Sequence, residues 1–194
     1  MSKETNFEFK IFEGIYPPSE DTMLLLDCVR EYPPSALEVC CGAGLVSLKL
    51  AKGGTKVIAS DLDLRACNNT LHNAKINNLH HLVNVVRTDL CSGIRGKFDA
   101  IYCNPPYLPF DDDIRESLWW YGGKGGVEKI LRIVKEASSI LKEDGSLFLV
   151  FSSLSDIANI QSSLKANDFV YDLVSSIKFG PEEIFVIKAK LVGK

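Results

Sequence analysis

An α/β fold, built on an open, mostly parallel sheet with helices on both faces, follows from three features of this 194-residue sequence. Strand and helix patterns alternate through five successive strands, which argues for a parallel sheet assembled from βαβ units. Glycine or polar residues stand at the ends of four of these strands, at Gly42 and Gly44, Asp61, Asp89 and Asn104. Ligands of such sheets bind beyond the carboxyl ends of the strands. The last two strands are joined by a short connection, Lys178 to Glu183, which closes an antiparallel hairpin.

The elements are expected in this order. Phe7, Phe9 and Ile11 alternate with polar residues and predict a short edge strand. Ser19 follows two prolines and is placed to cap a helix over 23–32, with Leu24, Leu25, Cys28 and Val29 as its apolar stripe and Pro33-Pro34 as its stop. Strands are predicted over 36–40, 56–60, 82–87, 98–103 and 146–151. Helices are predicted up to Lys52, over 64–77, over 127–141 with Ile130, Val134, Ala137 and Leu141 on one face, and over 155–165. The closing hairpin takes 169–177 and 184–191. Residues 111–126 read as a loop of acids, aromatics and glycines. The length fits one domain over 1–194, an extension over 1–34 preceding a core over 35–194.

Composition narrows the function. A hydrophobic content of 46% supports a sizeable core. Neither a membrane-length apolar run nor a charged-then-apolar leader is present, so a soluble, cytoplasmic protein is expected. The six cysteines form no C-x-x-C pair, which disfavours a zinc knuckle, and most read as small buried hydrophobes. A net charge of −3 and the lack of a basic stretch disfavour a nucleic-acid substrate.

Four strand ends carry the chemistry. Glu38-Val-Cys-Cys-Gly-Ala-Gly44 runs from a strand through a glycine turn into a helix, so backbone and free helix N–H groups can approach a ligand. Asp61, at the next strand's end, can accept both hydroxyls of a ribose. A dinucleotide site would want a third glycine where Ser47 stands, and Glu38 suits an ammonium better than a pyrophosphate. Asp89 can hold an exocyclic amine, with Leu90 supplying a backbone N–H, though it also reads as a solvated turn residue. Asn104-Pro-Pro-Tyr107 makes a proline-stiffened corner in which Asn104 offers an amide and Tyr107 a flat ring, a grip on a planar group carrying –NH₂. Asp111-Asp-Asp113 reads as a solvated acidic loop rather than a metal site. His72, His80 and His81 lie away from the strand ends, and no metal ligand set is expected.

Taken together, the glycine turn, Asp61, Asp89 and Asn-Pro-Pro-Tyr resemble the class I S-adenosylmethionine-dependent methyltransferases, and the tetrapeptide resembles their amino-methylating branch. Tyr16-Pro-Pro-Ser-Glu-Asp-Thr22 and Trp119-Trp-Tyr-Gly-Gly-Lys-Gly-Gly-Val-Glu128 are similar to the short archaeal and eukaryotic members of the HemK-like release-factor glutamine N5-methyltransferases. The resemblance covers nearly the whole chain. It departs at Cys40, where the family carries a glycine and where positive φ is costly.

The resemblance implies a Rossmann-like three-layer sandwich with a seven-stranded sheet. It places Thr22, Glu38, Gly42 and Gly44 near the methionine part of S-adenosyl-L-methionine, Asp61 at the ribose, and Asp89 and Leu90 at the adenine. Asn104 and the Pro105 carbonyl would bind the substrate –NH₂ beside the cofactor, with Pro106 shaping the corner and Tyr107 packing on the amide plane. The implied substrate is the glutamine of a Gly-Gly-Gln loop on a peptide-chain release factor. A small zinc-binding activator subunit is an implied partner, for which Leu82 to Val86 offers an apolar edge. N6-adenine methylation of DNA or RNA, an NAD-dependent oxidoreductase and a non-catalytic partner protein remain the alternatives at this point.

Overall fold

The computed structural model describes residues 7–109 and 121–192. Asp111-Asp-Asp113, Trp119 and Trp120 therefore lie outside the described residues. The elements are α1 (Glu20–Asp27), β1 (Ser35–Val39), α2 (Leu45–Lys52), β2 (Lys56–Asp61), α3 (Leu64–Ile76), β3 (Val83–Arg87), β4 (Phe98–Cys103), α4 (Glu128–Ile140), β5 (Leu141–Ser152), α5 (Ile157–Ala166), β6 (Phe169–Phe179) and β7 (Glu182–Leu191).

One seven-stranded sheet runs in the order β3-β2-β1-β4-β5-β7-β6. The first five strands are parallel, and β7 is antiparallel to both neighbours. Chain order reverses at the β1–β4 pair, where Glu38 stands beside Tyr102 and Val39 beside Cys103. Right-handed crossovers on the two sides of such a switch send their helices to opposite faces and open a crevice between them. Accordingly α1 and α3 both pack against α2, while α4 packs against α5.

The centre of the sheet is fully enclosed. Leu37, Val39, Ile101, Leu147 and Leu149 have essentially no exposed surface, and α4 contributes Ile130, Ile133, Val134 and Ala137. Tyr102 and Phe148 stand opposite each other on β4 and β5, with their rings stacked at 4.6 Å. A rigid centre of this kind fixes the strand ends that carry the site.

Several local expectations are corrected. The first helix ends at Asp27 rather than Tyr32, because Cys28 and Val29 donate to carbonyls three residues back and tighten the last turn. Ser19 occupies the cap position, but its hydroxyl bonds Glu20 instead of a helix N–H. β5 starts at Leu141 through an irregular register against β4. Residues 7–11 are not a strand: their backbone bonds go to asparagine side chains of α3. As expected, β3 is an edge strand, and Val86 is 39% exposed.

Candidate active site

At the carboxyl ends of β1, β2 and β4 lies a cavity of about 410 Å³, within the range of small-molecule sites. Its lining includes Thr22, Glu38, Gly42, Gly44, Asp61, Asp89, Leu90, Asn104 and Pro106. Strand alternation and the reversal at β1–β4 bring these distant residues together.

Glu38 is buried at the end of β1 and accepts bonds from the backbone N–H of Ser47, at 2.8 Å, and from the Ser47 hydroxyl. Burial pushes its carboxyl up to about 7, against the opposing pull of the Ser47 bonds. Among the described residues its side-chain hydrogen-bond partner is thus the neutral Ser47 at the start of α2. The chain then turns through left-handed backbone at Cys40, Gly42 and Gly44, with φ of 58°, 53° and 84°. Cys40 carries the cost of left-handed backbone for a residue with a Cβ, roughly 1–2 kcal/mol. At Gly42 a side chain would meet nothing within 4 Å, so the backbone stands bare toward the cavity. At Gly44 a Cβ would lie 2.6 Å from Thr70, so glycine is a packing requirement there.

The outer side of this turn is held by α3. The Thr70 hydroxyl donates to the Gly42 carbonyl, and Asn73 Nδ2 donates to the Ala43 carbonyl, each at 2.9 Å. Asp61 closes the inner side by accepting from the N–H groups of Gly42 (3.0 Å) and Asp63 (2.9 Å). Burial raises the Asp61 carboxyl, opposed by those same bonds. Each of its oxygens keeps a further lone pair for a ligand hydroxyl.

Asp89 is half-exposed and pairs with Arg132 at 3.0 Å. Leu90 beside it is buried with φ of 52°, and the Cys91 N–H donates to Glu136 at 2.9 Å. Arg132 and Glu136, one turn apart on α4, therefore hold the loop after β3 in its turned form. Lys129 lies three residues before Arg132 and lines the cavity, its amine pushed down by burial. No sequence signal singled it out.

Asn104 projects from the end of β4. Its Oδ1 is buried and has no hydrogen-bond partner. Pro105 is buried and not part of the lining, whereas Pro106 is part of it. Tyr107 is 9% exposed and is also off the lining. Its hydroxyl donates to Asp21 at 3.2 Å, and its carbonyl accepts from the Ser155 hydroxyl at 2.9 Å. The glycine-rich loop backs this corner: a Cβ at Gly126 would lie 2.3 Å from the Tyr107 carbonyl, and one at Gly122 2.8 Å from that of Pro106.

Asp21 is the residue that sequence reasoning missed. It is 4% exposed and accepts from the hydroxyls of Tyr16 and Tyr107 and from the Thr22 N–H. It thus ties the Tyr16–Thr22 segment to the Asn-Pro-Pro-Tyr corner. Burial, then Asp21, pushes the Tyr16 phenol up to about 12, and the same two causes raise Tyr107. The local sequence carried little signal, since Asp21 stands beside Glu20 in a polar helix start led by two prolines.

The histidines stay away from the cavity: His72 packs on Phe12 at 5.2 Å, and His80 and His81 are exposed. All six cysteines are free. Among the described residues no cluster of His, Cys, Asp or Glu could hold a metal, and no helix is long and apolar enough to cross a membrane.

Residues 19–170 match the methyltransferase small domain family. A Methanocaldococcus jannaschii protein named as a protein N5-glutamine methyltransferase is 33% identical over 188 residues, 94% of each chain. The eRF1 methyltransferase catalytic subunit mtq2 of Schizosaccharomyces pombe is 25% identical over 218 residues, covering 97% of this chain and 94% of its own. Among solved structures, the E. cuniculi Mtq2–Trm112 complex, described as responsible for methylation of the eRF1 termination factor, superposes with a TM-score of 0.73. That match has 26% identity and covers 92% of this chain and 99% of the other.

Proposed function

We infer the reaction from one premise: the chain belongs to the methyltransferase small domain family, in its HemK-like protein N5-glutamine methyltransferase branch. We propose that it transfers a methyl group from S-adenosyl-L-methionine to the side-chain amide nitrogen of the glutamine in a release factor's Gly-Gly-Gln loop. The observation that carries this reading is the buried, unpartnered Oδ1 of Asn104 at the rim of a cavity floored by Glu38. A buried acceptor without a donor costs about 1–3 kcal/mol. A substrate –NH₂ supplies the missing donor.

The residues fit the cofactor by chemistry. Glu38 is a buried carboxyl with no ion-pair partner among the described residues, and it would hold the ammonium of the methionine moiety beside Thr22 and the Gly42–Gly44 turn. Asp61 would accept the ribose hydroxyls, and Asp89 with the Leu90 backbone would take the adenine edge. When bound, S-adenosyl-L-methionine supplies an electrophilic methyl on a sulfonium.

The protein's share of the work is placement. An amide nitrogen is a weak nucleophile because its lone pair is delocalised into the carbonyl. Asn104 Oδ1 and the Pro105 carbonyl would accept its two N–H groups, turn its face toward the donor and favour the positive charge that develops there. Orientation of this kind is worth up to roughly 7–11 kcal/mol in model reactions. Tyr107, buried and pinned through its hydroxyl to Asp21, stiffens the corner from behind the lining.

A small partner subunit, zinc-binding as the resemblance implies, would dock along the open edge of β3, where Val86 is exposed. A release-factor substrate places the reaction in the cytoplasm. The test is mass spectrometry of a candidate release factor incubated with the protein and isotope-labelled cofactor, with and without the partner. The expected product carries one methyl on the Gly-Gly-Gln glutamine. Methyl on adenine of DNA or RNA instead would overturn the substrate assignment.

A further inference from the structure

The segment from Glu8 to Tyr16 crosses α3 and ends at the cavity, where Ile15 and Tyr16 form part of the wall. It is held by a row of asparagines spaced four apart, Asn69 and Asn73 on one face of α3 and Asn77 at its C-cap. The N–H of Glu8 donates to Asn77 Oδ1 (3.1 Å), that of Lys10 to Asn73 Oδ1 (3.0 Å) and that of Phe12 to Asn69 Oδ1 (2.8 Å). In return Asn77 donates to the Glu8 carbonyl at 2.7 Å, and Asn73 and Asn69 donate to the Lys10 carbonyl at 2.9 and 2.7 Å.

The match is geometric. Four helical residues rise about 6 Å and two extended residues span about 6.6 Å, so each second strap amide meets the next asparagine. The asparagine side chains thus do for the strap what a neighbouring strand would do. Asn69 and Asn73 have no exposed surface, and asparagine is a poor choice for a buried helix face unless its amide is used.

Asn73 has a second task. The same Nδ2 that donates to Lys10 also donates to the carbonyl of Ala43, inside the glycine turn. The strap is therefore joined through one side chain to the backbone that lines the cavity. Beyond the ladder, Ile15 packs with Ala43 and Ala66 in a small cluster apart from the main core, Phe9 touches both clusters, and the Tyr16 hydroxyl donates to Asp21.

We propose that residues 8–16 are the gate of the cavity and that Asn69, Asn73 and Asn77 are positioning residues, whose ladder must unzip for the cofactor to enter and its product to leave. The proposal rests on the cofactor reading of the cavity given above. Opening the strap exposes Ile15 and Tyr16 and frees the outer side of the turn. Closing it restores the wall and the bond from Asn73 to Ala43.

The test perturbs the strap and leaves α3 untouched. Lys10→Pro deletes the N–H that Asn73 accepts, and Lys10→Ala keeps it and serves as control. Dissociation of S-adenosylhomocysteine is followed by stopped-flow fluorescence. Amide hydrogen exchange over residues 7–16 is measured with and without the ligand, and each variant's melting temperature is recorded. The expected results are a dissociation rate about tenfold higher in Lys10→Pro, an unchanged rate in Lys10→Ala, and slower exchange at Glu8, Lys10 and Phe12 in the liganded wild type. Should Lys10→Pro not fold, Asn77→Ala at the half-exposed end of the ladder is expected to raise the rate a few-fold. A folded variant that melts earlier but releases ligand within twofold of wild type leaves the ladder a purely structural feature and overturns the gate. So does strap exchange that is indifferent to ligand. A wild-type protein that binds no S-adenosylhomocysteine overturns the cofactor reading instead, and the gate with it.

Discussion

Replacing Glu38 by glutamine tests the electrostatics of the site. The carboxyl is buried, and its proton is held up to about 7 against an ordinary 4.5. At about 1.4 kcal/mol per tenfold change, ionising it in the empty protein costs roughly 3 kcal/mol. Because the folded state holds this proton more tightly than the unfolded chain, the empty protein loses that stability as pH rises from about 4.5 to about 7. Glu38→Gln removes Glu38's share of that loss, so its unfolding free energy should fall less than that of wild type between about pH 4.5 and 7, with the remaining slope coming from groups such as Asp61, whose carboxyl burial also raises. Ligand binding runs the other way. An ammonium in the cavity pairs with the ionised form only, so affinity should fall about tenfold per pH unit below 7. Isothermal calorimetry with S-adenosylhomocysteine at pH 5.5, 6.5 and 7.5 measures this in wild type, Glu38→Gln and Asp61→Asn. Asp61 is included because burial raises its carboxyl too. The expected pattern is a pH-dependent affinity in wild type and Asp61→Asn, and a weak, flat one in Glu38→Gln. An equal slope in Glu38→Gln would refute the assignment of Glu38 to the ammonium.

Three further substitutions probe the rest of the site. Asn104→Ala removes the unpartnered acceptor, and turnover should drop at least about 100-fold with cofactor affinity within a few-fold of wild type; single-turnover assays beside calorimetry separate the two. Asp21→Asn removes the charge and turns one of the two accepting oxygens into an NH₂ donor facing a phenol or the Thr22 N–H, which should cost about 1–3 kcal/mol in denaturant unfolding and bring Tyr16 ionisation, read by ultraviolet titration, below about 12 while burial keeps it above the ordinary 10. Gly44→Ala combines a φ of 84° with a Cβ placed 2.6 Å from Thr70, so a loss of a few kcal/mol is expected in thermal melts.

The strands, their order of appearance and the residues at their ends were legible because each depends on a short local pattern. Apolar runs of strand length end at Asp61, before Asp89 and at Asn104, and the glycine turn follows Glu38 within six residues. The edge position of β3 was expected only through the partner subunit that the resemblance implies, since its composition is largely apolar. What depends on distant partners was not legible. The alternation at Phe7, Phe9 and Ile11 suggested an edge strand, and nothing in it announced that asparagine side chains of α3 would take the place of a partner strand. Asp21 looked like one acid among several in a helix start, and only the approach of Tyr107 from 86 residues away gives it a role. Lys129 is invisible for the same reason, since α4 reaches the cavity only through tertiary packing.

Strain and unmet bonding point to this cavity without any appeal to resemblance. Among the described residues only two buried side-chain polar atoms lack a partner, and one of them is Asn104 Oδ1. Five non-glycine residues have positive φ. Three are Asn78, Asp144 and Asp168, types that tolerate left-handed backbone. The other two, Cys40 and Leu90, do not, and both line the cavity. The carboxyl of Glu38 is a third cost at the same place. A fold that satisfies nearly every other described buried polar side chain yet concentrates strained backbone, an orphaned acceptor and a buried acid at one crevice is complete only with a ligand there. On the proposed reading, an ammonium meets Glu38, a substrate –NH₂ meets Asn104, and the cofactor lies against the bare backbone at Gly42.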